Sequence, residues 1–108
     1  MNDTLAKLYQ VVLDRKANPQ EGSYTCYLFD KGLDKILKKV GEECSETIIA
    51  AKNGVESDTV GEISDLLYHL VVMMAQQNIP LEAVMAELEQ RSHKIGNLKQ
   101  FHQSDHNT

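Results

Sequence analysis

Proline and cysteine are scarce in this chain, tryptophan is absent, and no apolar run is long. Two prolines and six glycines in 108 residues leave room for long uninterrupted helices, because these are the residues that break them. The two cysteines, Cys26 and Cys44, are too few for a disulfide framework and lack the clustered Cys/His spacing of a zinc site. Reduced thiols are the expectation. The longest apolar run, residues 70–75, is far too short to span a bilayer. Asp3, Lys7 and Asp14 interrupt the first seventeen residues, so no secretory signal is expected there and the cytoplasm is the expected location. A basic excess is missing too. Eleven Lys and Arg stand against sixteen Asp and Glu, a net charge of −5, which argues against a protein that binds nucleic-acid backbone. An acidic protein that handles an anionic substrate needs a local device, a metal ion or a few placed lysines.

The composition is 42% hydrophobic and 25% charged, that of a globular chain, and its length suits a single domain over residues 1–108. The periodicity is helical throughout. Leu5, Leu8 and Val12 mark a helix over 3–17, which Asn18-Pro19 stops. Ser23 is an N-cap for one or two turns ending at Gly32, with Tyr27, Leu28 and Phe29 expected to pack on the core. Residues 33–53 form the strongest helix, with a stripe of Leu33, Ile36, Leu37, Val40, Cys44, Thr47, Ile48 and Ala51. A second long helix covers 57–77, striped by Ile63, Leu66, Leu67, Leu70 and Met74. Over 66–75 it is apolar nearly all round, more than one neighbour can cover, so it is central in a bundle or buried between subunits. Pro80 is expected in the first turn of a last helix carrying Leu81, Val84, Met85 and Leu88. Beyond Arg91 the pattern fades. Ile95, Leu98 and Phe101 read as an arm and 104–108 as a frayed tail. The fold class is all-α, a bundle of four to five helices around a central helical hairpin, completed by oligomerisation.

The hairpin is residues 38–65, KKVGEECSETIIAAKNGVESDTVGEISD. Asn53-Gly54 favours a positive φ, ending one helix and starting a turn. Glu46 and Glu62 each lie eight residues from Gly54, and Glu43 and Asp65 each lie eleven. In a folded-back pair of helices such residues sit at matching heights, the first pair ~12 Å from the turn at ~1.5 Å per residue. At ~100° per residue, Lys39, Glu43 and Glu46 share one flank of the first helix, and Glu62, Asp65 and His69 one flank of the second. Four carboxylates meeting between helices repel unless one is protonated or a cation sits among them, and an all-oxygen set suits a hard cation such as Mg2+.

A cation there would bind phosphate oxygens and position a water, and a carboxylate not fully used as a ligand could take the water's proton. Lys35, Lys38, Lys39 and Lys52 lie on the same helix, and Lys39 shares the acidic flank, which makes it the preferred phosphate lysine. Lys–Glu pairing on the surface is the plain alternative, strongest for Lys38 and Lys52. Ser23, Tyr24 and Thr25 place three hydroxyls beside a helix start, a natural phosphate seat, although capping and packing alone would account for them. His69 reads as a packed histidine, with a supporting or basic role as the other option.

Taken together, Ser-Tyr-Thr at 23–25, Leu28-Phe29 with Gly32, KILKKVGEE at 35–43 with Glu46, AAKN at 50–53 and EISDLLYHL at 62–70 resemble the phosphoribosyl-ATP pyrophosphohydrolases. These are the histidine-biosynthesis members of the all-α, MazG-like nucleotide pyrophosphohydrolases. The resemblance runs from about Ser23 to Arg91. It implies a helical bundle that completes itself as a dimer or higher oligomer. It also implies Mg2+-dependent hydrolysis of 1-(5-phosphoribosyl)-ATP between the α and β phosphates, giving phosphoribosyl-AMP and pyrophosphate. Glu43, Glu46, Glu62 and Asp65 carry over as metal ligands, with Glu42 adjacent as a possible base. Catalytic roles are therefore expected for Glu42, Glu43, Glu46 and Lys39, and substrate contacts for Ser23, Tyr24, Thr25, Lys35, Lys39, Lys52 and Asn53.

Two other readings have their own discriminators. A house-cleaning nucleoside triphosphate pyrophosphohydrolase would share the four acids but not the Ser23-Tyr24-Thr25 segment. A non-enzymatic helical interaction module would need no metal, and Glu43→Gln or Asp65→Asn would leave its function intact.

Overall fold

The computed structural model describes residues 3–94. Among them lie five helices and no strand: α1 Thr4–Ala17, α2 Tyr24–Lys31, α3 Leu33–Asn53, α4 Glu56–Gln76 and α5 Leu81–Ser92. The all-α expectation is met. The expected arm at Ile95, Leu98 and Phe101 and the tail at 104–108 lie outside the described residues.

The breaks are the ones local chemistry dictates. α1 stops at Asn18, ahead of Pro19. The Ser23 hydroxyl accepts from the Cys26 amide at 3.1 Å and caps α2. Gly32, at φ +96°, turns the chain between α2 and α3. Gly54 takes a left-handed conformation, φ +81° and ψ 12°, and donates back to the carbonyls of Ala50 and Ala51, so α4 returns antiparallel to α3. One expectation shifts by a place. Pro80 is the N-cap of α5, at φ −72° and ψ 144°, and not a first-turn residue; an extended ψ is what an N-cap position requires.

α3 and α4 share the largest helix–helix contact, and α1 and α2 pack across the hairpin. The core is Tyr9 and Val12 from α1, Leu28 from α2, Ile36 from α3, and Val71, Val72, Met74 and Ala75 from α4, closed by Leu81. Two long-range polar contacts tie α1 to the end of α4 and to the link that follows it. Tyr9 donates its hydroxyl to the Ile79 carbonyl at 2.6 Å, and Lys16 Nζ donates to the Ala75 carbonyl at 2.7 Å.

The helices form as expected, but their faces are turned differently. Leu37, Cys44, Ile48 and Ala51, read from the stripe of α3 as core, are exposed, and so are Ile63 and Leu67 of α4. The buried line of α3 runs through Ile36, Glu43 and Ala50. Val71 and Val72, off the expected stripe of α4, are buried at 1% and 0% exposure. The reason lies in the neighbours: α1 and α2 cover the Val71–Val72 side of α4, and among the described residues no element covers the Ile48–Leu67 side. Tyr27, also expected in the core, is exposed, while Leu28 beside it is fully buried.

Candidate metal centre and active site

The hairpin brings the acids of its two arms together. Glu43, Glu62 and Asp65 each offer a carboxylate oxygen, and these oxygens all lie within 4.8 Å of one another. Glu43 is buried at 6% exposure in the α3–α4 contact, Glu62 is half-buried and Asp65 faces outward. Burial, and then the neighbouring Glu46 carboxylate through its charge and a hydrogen bond, push the Glu62 carboxyl above the usual range. Of the four acids expected to meet, Glu43, Glu62 and Asp65 converge; Glu46 is exposed and outside that group, although near enough to Glu62 to act on its carboxyl.

Two oxygens of this group, Oε1 of Glu43 and Oε1 of Glu62, are buried without a hydrogen-bond partner. A carboxylate oxygen shielded from water and left unpaired is unfavourable, and a proton or a cation relieves it. Oxygen donors of this charge and spacing fit a hard divalent cation such as Mg2+.

Lys39 reaches the edge of the group from one turn earlier on α3. Its Nζ lies 3.2 Å from Glu42 Oε1 and 4.0 Å from Glu43 Oε2, and the hydrogen bond to Glu42 raises the ammonium's pKa. It is therefore a firm positive charge beside the acids. Glu42 is exposed, outside the three-oxygen group, and among the described residues its ion pair is with Lys39. Thr47, which sequence reasoning treated as stripe, donates its hydroxyl to the Glu43 carbonyl at 2.7 Å and lies 3.3 Å from the Glu62 carbonyl. It fastens the two arms at the level of the acids. A threonine one turn after an acid in a helix gives no sequence signal of that role.

The first turn of α2 forms the adjoining wall. The three hydroxyls expected as a phosphate seat are all engaged within the chain. Ser23 caps α2, the Tyr24 hydroxyl lies 3.0 Å from His69 Nε2, and Thr25 bonds the Tyr68 hydroxyl. His69 is buried, as its packed reading expected, and its Nδ1 lies 2.8 Å from the Asp65 carbonyl. Lys35 stands on the same side, with its Nζ 6.0 Å from the centre of the Tyr27 ring and Lys31 Nζ at 5.8 Å. Lys52 and Asn53 are not brought to the acids. Both are exposed on the last turn of α3, ~9 Å or more beyond Glu46 along the axis.

The profile of the phosphoribosyl-ATP pyrophosphohydrolase family matches residues 5–92. The chain belongs to this family. Among its relatives is the phosphoribosyl-ATP pyrophosphatase of Clostridium acetobutylicum, 56% identical over 99 residues, which cover 92% of this chain and 90% of that protein. The protein of the same name from Clostridium novyi is 53% identical over 97 residues, 90% and 88% of the two chains. That from Listeria monocytogenes serotype 4b is 59% identical over 91 residues, 84% and 87%. The family match begins in α1 and ends with α5, so it encloses the acids, Lys39 and the α2 wall in one continuous unit.

Proposed function

We propose that this chain hydrolyses 1-(5-phosphoribosyl)-ATP to 1-(5-phosphoribosyl)-AMP and pyrophosphate, the second step of histidine biosynthesis, with Mg2+ as cofactor. Membership of the family supports the reaction. The observation that carries the site is the convergence of Glu43, Glu62 and Asp65 with two buried oxygens unpaired. Glu43, Glu46, Glu62 and Asp65 would hold the ion, which supplies charge neutralisation for the polyphosphate and a more acidic water. The chain's own groups do the rest. Lys39, with Lys35 beyond it, binds phosphate oxygens. Glu42, free of ligand duty, takes the proton of the attacking water. The first turn of α2 bounds the site on the side of His69.

The same reading places the reaction in the cytoplasm, where thiols such as Cys26 and Cys44 stay reduced; among the described residues no helix is long and apolar enough to cross a membrane. It also pairs two copies of the chain through the uncovered side of the hairpin. Ile48 is 70% exposed there and Leu67 42%, on the side of α3 and α4 about half a turn from Glu46 and Asp65. Apolar side chains grouped in this way mark an interaction surface.

The test is pyrophosphate release with Mg2+ from phosphoribosyl-ATP, ATP and a panel of deoxynucleoside triphosphates. Strong preference for phosphoribosyl-ATP, abolished by a chelator and in Glu46→Gln, is the expected result. Release from the deoxynucleotides instead would keep the acidic site and move the chain to house-cleaning chemistry. A folded protein inactive on all of them would leave the interaction module.

A further inference from the structure

The contacts between α2 and α4 form an ordered pair. Tyr24 and Thr25 are neighbours on α2, Tyr68 and His69 are neighbours on α4, and each residue of one pair bonds one of the other. The direction of the first bond follows from His69. A backbone carbonyl only accepts, so the Nδ1 that faces the Asp65 carbonyl carries the proton. In the neutral ring Nε2 is then an acceptor, and the Tyr24 hydroxyl must donate to it. The rings support the same register: Tyr24 stands edge-on to His69 at 5.7 Å between centres and stacks on Tyr68 at 6.1 Å. A single bond would let the first turn of α2 pivot over α4. Two bonds from adjacent residues stop both pivoting and sliding.

The position of this pair gives it a consequence. His69 lies one turn from Asp65 and bonds that residue's carbonyl, while the Tyr24 phenol lies within the electrostatic reach of Lys39 and Glu43. The pair therefore sets how far the α2 wall stands from the acids and from the phosphate lysine, although none of its four side chains supplies an oxygen to the acidic group.

We propose that Tyr24–His69 and Thr25–Tyr68 form a two-point latch that positions the first turn of α2 against the acidic site, with Tyr68 and His69 as positioning residues and with Tyr24 and Thr25 acting through α4 and not as a phosphate seat. The proposal rests on the hydrolysis stated above.

The experiment is a double-mutant cycle on the second bond, read as pyrophosphate release from phosphoribosyl-ATP with Mg2+, using Thr25→Val, Tyr68→Phe, the double variant and Thr25→Ser. A misplaced wall spoils orientation more than affinity. Each single change should lower kcat about ten- to a hundredfold with KM within about threefold. The double variant should be no worse than the poorer single, because the bond is lost once. Thr25→Ser, which keeps the hydroxyl, should stay within about threefold of wild type. Multiplicative losses, or a raised KM in Thr25→Val alone, would mean that Thr25 meets the substrate directly and would overturn the latch, as would unchanged kcat in both singles. The first bond is read without activity. In Tyr24→Phe the 15N resonance of His69 Nε2 should shift and the amides of Cys26 and Tyr27 should exchange faster; wild-type values for both would also overturn it. A wild-type chain that releases no pyrophosphate fails the functional reading and takes the positioning role with it, whereas an active wild type with indifferent variants sinks the latch alone.

Discussion

A half-buried carboxylate beside three others is held against its own chemistry, and Glu62 is where that tension can be measured. Its pKa is raised, by burial first and by Glu46 next, so the folded chain binds this proton more tightly than the unfolded chain does. The stabilisation from the protonated form is fully present below the unfolded value and is lost as pH rises through the raised one. Without divalent ions, thermal melts should therefore show this contribution fading above the ordinary glutamate range of about 4.3. Glu62→Gln should flatten that dependence and melt higher than wild type at pH 7 in a chelator. Added Mg2+ should reverse the order, because only the intact set gains ion binding. A variant that melts lower in chelator would mean that the carboxylate already has a partner. Activity should fall roughly a hundredfold in Glu62→Gln, the scale of losing one group that stabilises developing charge. These acids were legible in the sequence because their placement about Gly54 depends only on counting. Thr47 and Tyr68 were not, because a lone hydroxyl on a helix carries no pattern and its partner lies on another element.

At the scale of the element, the site depends on how sharply α3 returns as α4. Gly54 sits at φ +81° with open space around the position of a Cβ, so a substitution there meets no clash and tests backbone conformation alone. Gly54→Ala should lose about 1 kcal/mol, the general cost of a left-handed alanine, and Gly54→Asn less, since asparagine tolerates that region. Urea midpoints at unchanged m-value would show it; a neutral Gly54→Ala would mean that the turn relaxes to another geometry. Ser23→Ala should lose about 1 kcal/mol through the α2 cap, with the loss confined to stability and to the α2 wall. Helix bounds were readable because Asn18-Pro19, Ser23, Gly32 and Gly54 act locally. Which face each helix buries was not. On α3 the lines through Ile36–Glu43 and through Leu37–Ile48 lie about a third of a turn apart, and only the arrival of α4 on one of them decides that an acid goes in and an isoleucine stays out.

At the scale of the whole molecule, that decision leaves the acids on one side of the hairpin and, on the other, an apolar side that no described element covers. Ile48 at 70% exposure is, among the described residues, the most exposed large apolar side chain, and it lies in line with Leu37 on α3, opposite Lys39 and Glu46. If two copies meet there about a two-fold axis, each contact occurs twice, so one substitution introduces two charges into the interface. Ile48→Glu should give a monomer in sedimentation at concentrations where wild type is a dimer, and the wild-type melting temperature should rise with protein concentration while that of the variant does not. The acids lie about half a turn away on both helices, so binding of Mn2+ by the Ile48→Glu monomer should persist if one chain builds the ion site alone. Retained Mn2+ binding with lost pyrophosphate release would then place part of the substrate's seat across the pairing of two copies. Retained release by the monomer would show that the uncovered side serves stability only. A wild-type chain that sediments as a monomer throughout would remove the pairing and leave Ile48 without a physical account.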